Sequence, residues 1–341
     1  MESQAAGVLP RIPATGGIHA AAADRRRYTR VVEHVIEGWV RITALSAILV
    51  IFLIFVFVGK EALPLLWEHP EPGLEHEVVT LDNLMGPTHY PDRPSRFIWQ
   101  PVSNVPKYNL LPLIVGTLKT TIVAILFAAP LAILAAILSS EFAPRWLRET
   151  VKPTIELLAG IPSVVLGFFA LIVLASWLQQ MLGLRLRLNA LNAGIALGLA
   201  VIPIIFTVAE DALTTVPKSY REASLALGAN RWETAIKIVL PAALPGIFAG
   251  VVLGFGRAVG ETMIVLMASG NAATTTPWIT DSVRTLSATI AAELGEVVFG
   301  SPHYRVLFLI GVILFVFTFV VNLFGDIYVQ RLKERLEGGR A

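Results

Sequence analysis

Hydrophobic and polar positions fall in long blocks along this chain, and six of the apolar blocks approach the length of a membrane crossing. A helix needs roughly 20 residues to cross a hydrocarbon core of about 30 Å. Blocks of that order occupy residues 42–58, 110–138, 154–178, 191–208, 242–268 and 306–328. The pattern predicts an all-α integral membrane protein with six transmembrane helices. Ahead of the first block lies a polar arm of about 40 residues, unlike the short charged start and nearby cleavage site of a secretory signal, so the first span is expected to stay.

Basic residues are retained on the cytoplasmic side of a membrane, and this sets the orientation. With both ends inside, segments 1–41, 141–153, 211–241 and 329–341 carry 17 Lys and Arg, while 59–109, 179–190 and 269–305 outside carry 8. The other two, Lys119 and Arg257, fall within predicted spans. The chain therefore reads as a cytoplasmic arm (1–41), a first helix (42–58), an external loop region (59–109), a core with five spans (110–328) and a cytoplasmic tail (329–341). The core includes a cytoplasmic loop over 211–241. The external region is acidic early (Glu68, Glu71, Glu75, Glu77, Asp82) and Pro-rich later, which fits an irregular connection better than a unit ordered against the bundle. Residues 285–296 have helical apolar spacing that suits a helix lying along the outer membrane surface.

Composition narrows the function classes. Charged residues make up 15% of the chain and hydrophobic ones 55%, against about 25% charged in soluble domains. A net charge of +2 offers nucleic acid no footing, and the absence of Cys excludes disulfides and thiol chemistry. Nowhere does a Gly-rich run end in Gly-Lys-Ser or Gly-Lys-Thr, so the chain has no P-loop.

Between the fourth and fifth spans the cytoplasmic loop carries start and stop signals for two short helices. Pro217 opens a helix over 218–227, Gly228 stops it in a left-handed conformation, and Asn230 with Glu233 forms a capping box for the next. Two helices meeting at a glycine make a stiff elbow. Glu222, Ala223 and Ser224, then Gly228, then Ile238, Leu240 and Pro241 are spaced as in the signature loop of permease subunits of binding-protein-dependent ABC importers, which the chain resembles. The departure is Ser224, where the family has Ala. The resemblance implies the type I importer fold. It also implies an elbow docked in a cytoplasmic ATPase subunit that holds ATP and Mg, so that this chain binds no cofactor and is not itself an enzyme.

A charge inside a membrane helix costs about 2.5–3.5 kcal/mol on insertion scales and marks a pathway or a partner. Arg257 is such a residue, with Glu261 one turn later. At about 100° per residue, Gly246, Gly250, Gly254, Arg257, Gly260 and Glu261 share one helix face, opposite Phe248, Phe255 and Val259. The i, i+4 pair serves a structural ion pair and an anion pathway equally well by spacing alone; a guanidinium suits an oxyanion because its planar donors bind two oxygens. The stretch 256–262 (GRAVGET), with 284–296 (RTLSATIAAELGE), 301–308 (SPHYRVLF) and 156–167 (ELLAGIPSVVLG), resembles the phosphate-specific permeases of the Pst system, the PstC type more than the PstA type. That resemblance implies that Arg257 and Glu261 serve phosphate passage; Thr262 beside them is assigned to the same pathway, and Glu261 is expected to orient Arg257 when the site is empty.

Lys119 either snorkels outward or lines a cationic entrance with Thr117, Thr120 and Thr121. Pro162, beside Gly160 and Ser163, either kinks the third span or opens it to a solute path. Glu210 and Asp211 fit solvated or paired charges, and His303 and Tyr304 fit interfacial anchors. Together these features imply a permease subunit in a bacterial inner membrane, both termini cytoplasmic, surrounded by lipid. Its partners would be a second related permease, two cytoplasmic ATP-binding subunits and an external phosphate-binding protein. The alternatives are a permease for sulfate, molybdate or phosphonate, and a membrane sensor or scaffold in phosphate signalling.

Overall fold

The computed structural model describes residues 16–66, 79, 81–90, 93–103 and 105–338. The acidic positions Glu68, Glu71, Glu75 and Glu77 lie outside them, as do the first 15 residues of the arm. The chain divides into two compact units, residues 1–57 and 58–341. Described residues of the first belong to helix α1 (Gly16–Ala62), which starts far ahead of the apolar block at 42. Hydropathy marks where a helix meets lipid, not where its hydrogen-bond ladder begins. Six helices among the described residues are long and apolar enough to cross a membrane: Glu33–Leu65, Leu111–Phe142, Ser163–Leu182, Ala190–Thr215, Arg231–Gly260 and Pro302–Glu334. The protein is a multi-pass membrane protein.

After the end of α1 and a 3-10 turn at Leu63–Leu66, the second unit has α2 (Leu81–Met85) and two antiparallel hairpins, β1 (Thr88–Tyr90) with β2 (Arg93–Arg96) and β3 (Trp99–Gln100) with β4 (Lys107–Tyr108). Span two is α3 (Leu111–Ile137), prolonged by a π turn at Leu138–Phe142. An amphipathic helix, α4 (Arg145–Ala159), leads to span three, which joins α5 (Ser163–Phe169), a π turn and α6 (Ala175–Leu182). Span four is α7 (Ala190–Thr215). The elbow follows as α8 (Lys218–Ala226) and α9 (Arg231–Thr234), and α9 runs through a π turn at Ala235–Val239 into α10 (Leu240–Gly260), span five. After it come α11 (Met263–Ala268), α12 (Leu286–Glu293) and α13 (Pro302–Gly338), span six.

Span four is the axis of this unit, because small residues let its neighbours in close. Ala124, Ala128, Ala132 and Ala136 recur every fourth residue of α3, a spacing that stacks them on one ridge, and the core they enter includes Ala193, Leu197 and Val201 of α7. In lipid no apolar contrast drives helices together, so close packing of such ridges has to hold them. On the other side α10 lays its glycines on α7: a Cβ at Gly254 would stand 2.8 Å from Val201 and Ile205. Its bulky back meets α13, with Phe248 on Tyr328 at 4.7 Å and Phe255 near Phe317 at 6.4 Å between ring centroids.

Three expectations change. The apolar block 154–178 is two elements: Pro162, lacking an N–H and clashing with the preceding turn, breaks the helix after Gly160, so residues 154–159 end α4 and the span begins at Ser163. The described part of the external region is ordered rather than irregular, since Leu84, Trp99 and Tyr108 share a core with Leu113, Leu286, Val306 and Ile310. Finally, α12 does not lie on a surface. Leu286, Ser287, Ala288 and Thr289 are buried, and the Leu286 N–H donates to Thr117 Oγ1 on α3 at 3.0 Å.

Candidate transport pathway and coupling elbow

Span five ends where the charged pair sits. α10 stops at Gly260, Glu261 is extended (φ −67°, ψ 132°), and α11 restarts at Met263. Glu261 therefore leaves the helix face it was assigned to, and the expected ion pair with Arg257 does not form, nor does the carboxylate orient the guanidinium. Instead Glu261 Oε1 accepts the Thr262 N–H at 3.2 Å, and the Glu261 carbonyl accepts Ser287 Oγ at 2.8 Å. Thr262 Oγ1 turns back to the Gly260 carbonyl at 3.2 Å. Arg257, one turn before the break, is exposed and makes no hydrogen bond or ion pair among the described residues.

The helices that follow the two breaks pack on each other. α5 packs on α11, and Gly167 is what permits it: a Cβ there would meet the Met263 carbonyl at 3.1 Å and the Ile264 Cα at 3.3 Å. Ser163 stands half-buried at the start of α5. Lys119 resolves toward reaching outward, for its Nζ donates to the carbonyls of Thr276 and Trp278, the latter at 3.4 Å. Thr117, Thr120 and Thr121 are buried rather than lining an entrance with it; the hydroxyls of Thr117 and Thr120 serve helix carbonyls at 2.8 and 3.0 Å.

The elbow is built as its local signals require. Gly228 has φ +89°, a conformation that costs any residue with a Cβ. Its N–H reaches the Leu225 carbonyl at 3.0 Å and the Ala229 N–H reaches Ser224 at 3.2 Å, the two bonds of a Schellman motif. Asn230 and Glu233 form the capping box in both directions. Ser224, the departure from the family pattern, donates to or accepts from Thr234 at 2.9 Å in a buried contact across the turn. Glu222 and Ala223 face outward, Leu227 is 90% exposed and Trp232 59%. Between the arms a groove of ≈ 600 Å³ is lined by Tyr220, Ala223, Leu227, Lys237 and Ile238 among others. Leu240 packs on the main core, and Pro241, with no N–H to return to Lys237, follows the wider π turn.

Two charged clusters lie beyond what sequence spacing marks. At the elbow end, Lys152 of α4 donates to Glu210 at 2.9 Å and to Asp211 at 2.6 Å. The bond to Asp211, then that to Glu210, hold the Lys152 ammonium above its usual range. At the opposite end Glu293 accepts Trp99 Nε1 at 3.1 Å, His303 Nε2 at 2.8 Å and Arg284 Nη2 at 2.8 Å. Burial alone would raise the Glu293 carboxyl; the bonds from His303 and Trp99 and the charge of Arg284 outweigh it and hold the group below the usual carboxylate range. His303 is thus a hydrogen-bond partner of Glu293 rather than an interfacial anchor. The amphipathic period of 145–159 was the available signal for α4. No local pattern joins Trp99 to Glu293 across 194 positions.

Residues 128–334 match the family described as binding-protein-dependent transport system inner membrane component. The chain belongs to this family. The permease is 40% identical to a Bacillus subtilis protein named probable ABC transporter permease protein YqgH, over 65% of this chain and 72% of that one. It is 36% identical to the phosphate transport system permease protein PstC of Xylella fastidiosa, over 70% of this chain and 78% of that one. Among solved structures the permease resembles a subunit of the inward-facing MetNI methionine ABC transporter (TM-score 0.53, 21% identity, 65% of this chain and 95% of that one). It also resembles a subunit of a bacterial alginate importer (TM-score 0.56, 18% identity, 89% and 99%). At such identities these two speak for the fold alone.

Proposed function

We propose that this permease is one of two related membrane subunits of an ATP-driven importer of inorganic phosphate. It would sit in a bacterial inner membrane with both termini in the cytoplasm. An external phosphate-binding protein delivers the anion, and two cytoplasmic subunits that carry ATP and Mg grip the elbows around Glu222 to Gly228. Their closure moves the elbow, and α9 transmits the movement through its π turn into α10, so that the pathway alternates between outward and inward access.

The observation that carries this reading is Arg257: a guanidinium inside a membrane span, exposed and with its carboxylate neighbour turned away. An unpaired charge in a span is costly, and an anion that can accept two of its donors at once offsets that cost. Glu261 and Thr262 follow Arg257 at the break in span five, and Ser163 at the start of α5 and Lys119 on span two are the further residues assigned to the pathway. The names of the PstC relatives support phosphate over other oxyanions. Uptake of labelled phosphate by the assembled importer, with sulfate, molybdate and phosphonate as competitors, tests both parts. Phosphate alone should compete at low excess. Equal competition by sulfate would reassign the cargo, and unaltered uptake after Arg257→Ala would remove Arg257 from the path.

A further inference from the structure

One partly buried ion pair has no part in the pathway just described, yet it joins the elbow to the rest of the bundle. Arg221, in the first arm of the elbow, sends its guanidinium out of its own helix in two directions. Nε and Nη2 donate to the two carboxylate oxygens of Glu141 at 3.1 and 2.6 Å. Nη1 and Nη2 donate to the carbonyls of Val216 and Leu213 at 2.6 and 2.9 Å. Glu141 belongs to the π turn that ends span two, and Leu213 to the last turn of α7. The two side chains keep 21% and 10% of their exposure, so water screens the pair poorly. The fork-to-fork arrangement fixes direction as well as distance. Phe142, next to Glu141, lies 5.6 Å from Trp232 of the second arm, so both arms of the elbow touch the same turn of span two.

The backbone explains why such a pair is needed. Between α7 and α8 the chain has only Val216 (ψ 128°) and Pro217 (ψ 140°), both extended, a two-residue joint that interrupts the helical run. The second arm has no such joint, for α9 continues through its π turn into α10. A displaced elbow thus moves span five along a continuous helix, while span four follows across the two-residue joint and span two only through side chains. We infer that the Arg221–Glu141 pair is the strut that makes the elbow ends of spans two and four move with the elbow, which makes Arg221 a positioning residue of the transport cycle. The inference rests on the elbow being the ATPase-coupling element.

The test uses the complete importer in lipid vesicles, with anion uptake and ATP hydrolysis measured on the same sample. Arg221→Met and Glu141→Gln should leave hydrolysis running while anion moved per ATP falls about tenfold or more, because removing one side of a partly buried pair strands the other. Exchanging the charges, with Arg221→Glu and Glu141→Arg together, should recover part of the ratio. An unchanged ratio in both single variants overturns the strut. Spin labels placed through Leu138→Cys and Lys218→Cys give a second readout that involves no cargo. Their separation should stay constant with and without ATP when Arg221 and Glu141 are intact, and vary once Glu141→Gln is added; a separation that shifts with ATP while the pair is intact overturns the strut whatever the anion. Failure of the unaltered importer to bind its ATPase would instead refute the elbow reading.

Discussion

At the scale of single residues, position in lipid is what makes Arg257 informative and Glu261 deceptive. Arg257→Ala should abolish uptake while the importer still assembles, and Arg257→Lys, which keeps the charge but loses the planar fork, should lower the uptake rate about tenfold, or about 1.4 kcal/mol. Glu261→Gln should be milder than either, since an amide oxygen still accepts the Thr262 N–H; uptake rates of the three variants check the order. Arg257 stands out in the sequence because it is an Arg amid apolar residues. Glu261 was misplaced because a helical wheel assumes an unbroken helix, and nothing in GRAVGET requires a break there except a weak glycine signal. The break is held by Ser287, far along the chain. The Glu293 cluster was invisible for the same reason, and it carries a pH consequence. Its folded carboxyl lies below the usual value, so its stabilisation is fully present above about pH 4.3 and is lost as pH falls through the depressed folded value. Trp99→Phe removes one of the bonds responsible. It should lower the unfolding free energy near neutral pH by about 1–3 kcal/mol, seen as a reduced thermal midpoint, and should move the onset of acid loss upward.

At the scale of elements, local rules decided what could be foreseen. The elbow was readable in detail because its stop and start each lie within six residues: Gly228 takes the left-handed conformation and Asn230 closes the capping box. Gly228→Ala should cost the elbow about 1–2 kcal/mol, whereas Gly228→Pro, locked near φ −65°, cannot make the turn and should abolish uptake. Protease sensitivity of the elbow in the two variants should rank the same way. Spans four and six were found near their true places because their apolar blocks are continuous. Span three was misdrawn because hydropathy runs smoothly across Pro162, and the same blindness hid α4, whose polar side looks like loop until its period is counted. That helix is tied down by Lys152, and Lys152→Met would leave Glu210, 3% exposed at its side chain, with only Arg148 at 3.9 Å. Stranding a buried carboxylate costs about 3–5 kcal/mol, so this variant should show a clearly lower thermal midpoint than Lys152→Arg, which keeps a donor in place.

At the scale of the whole molecule, the fold sets a reactive surface at each end of one rod. The helix that begins at Arg231 beside the exposed elbow is, through its π turn, the helix that carries Arg257, and at about 1.5 Å per residue the two points lie roughly 40 Å apart along it. The run is helical throughout, so on the proposed function a partner that pulls the elbow would act on the Arg257 end with no loop in between. Such a partner must grip something apolar, and the elbow offers it. Leu227 and Trp232 are held out from the bundle at 90% and 59% exposure beside the groove between the arms, where a monomer gains nothing from exposing them. A few anchors of this kind supply most of the energy of an interface, about 2 kcal/mol or more apiece. Leu227→Asp is therefore expected to weaken binding of the ATPase subunits about thirtyfold or more, and to reduce uptake in proportion. It should leave the thermal midpoint of the permease unchanged, because the side chain it replaces touches little of its own chain. Titration of the purified permease with its ATPase subunit, beside a melting curve of the same variant, separates docking from folding; full-strength binding by Leu227→Asp would show that the ATPase grips elsewhere and that the rod is not pulled from this end.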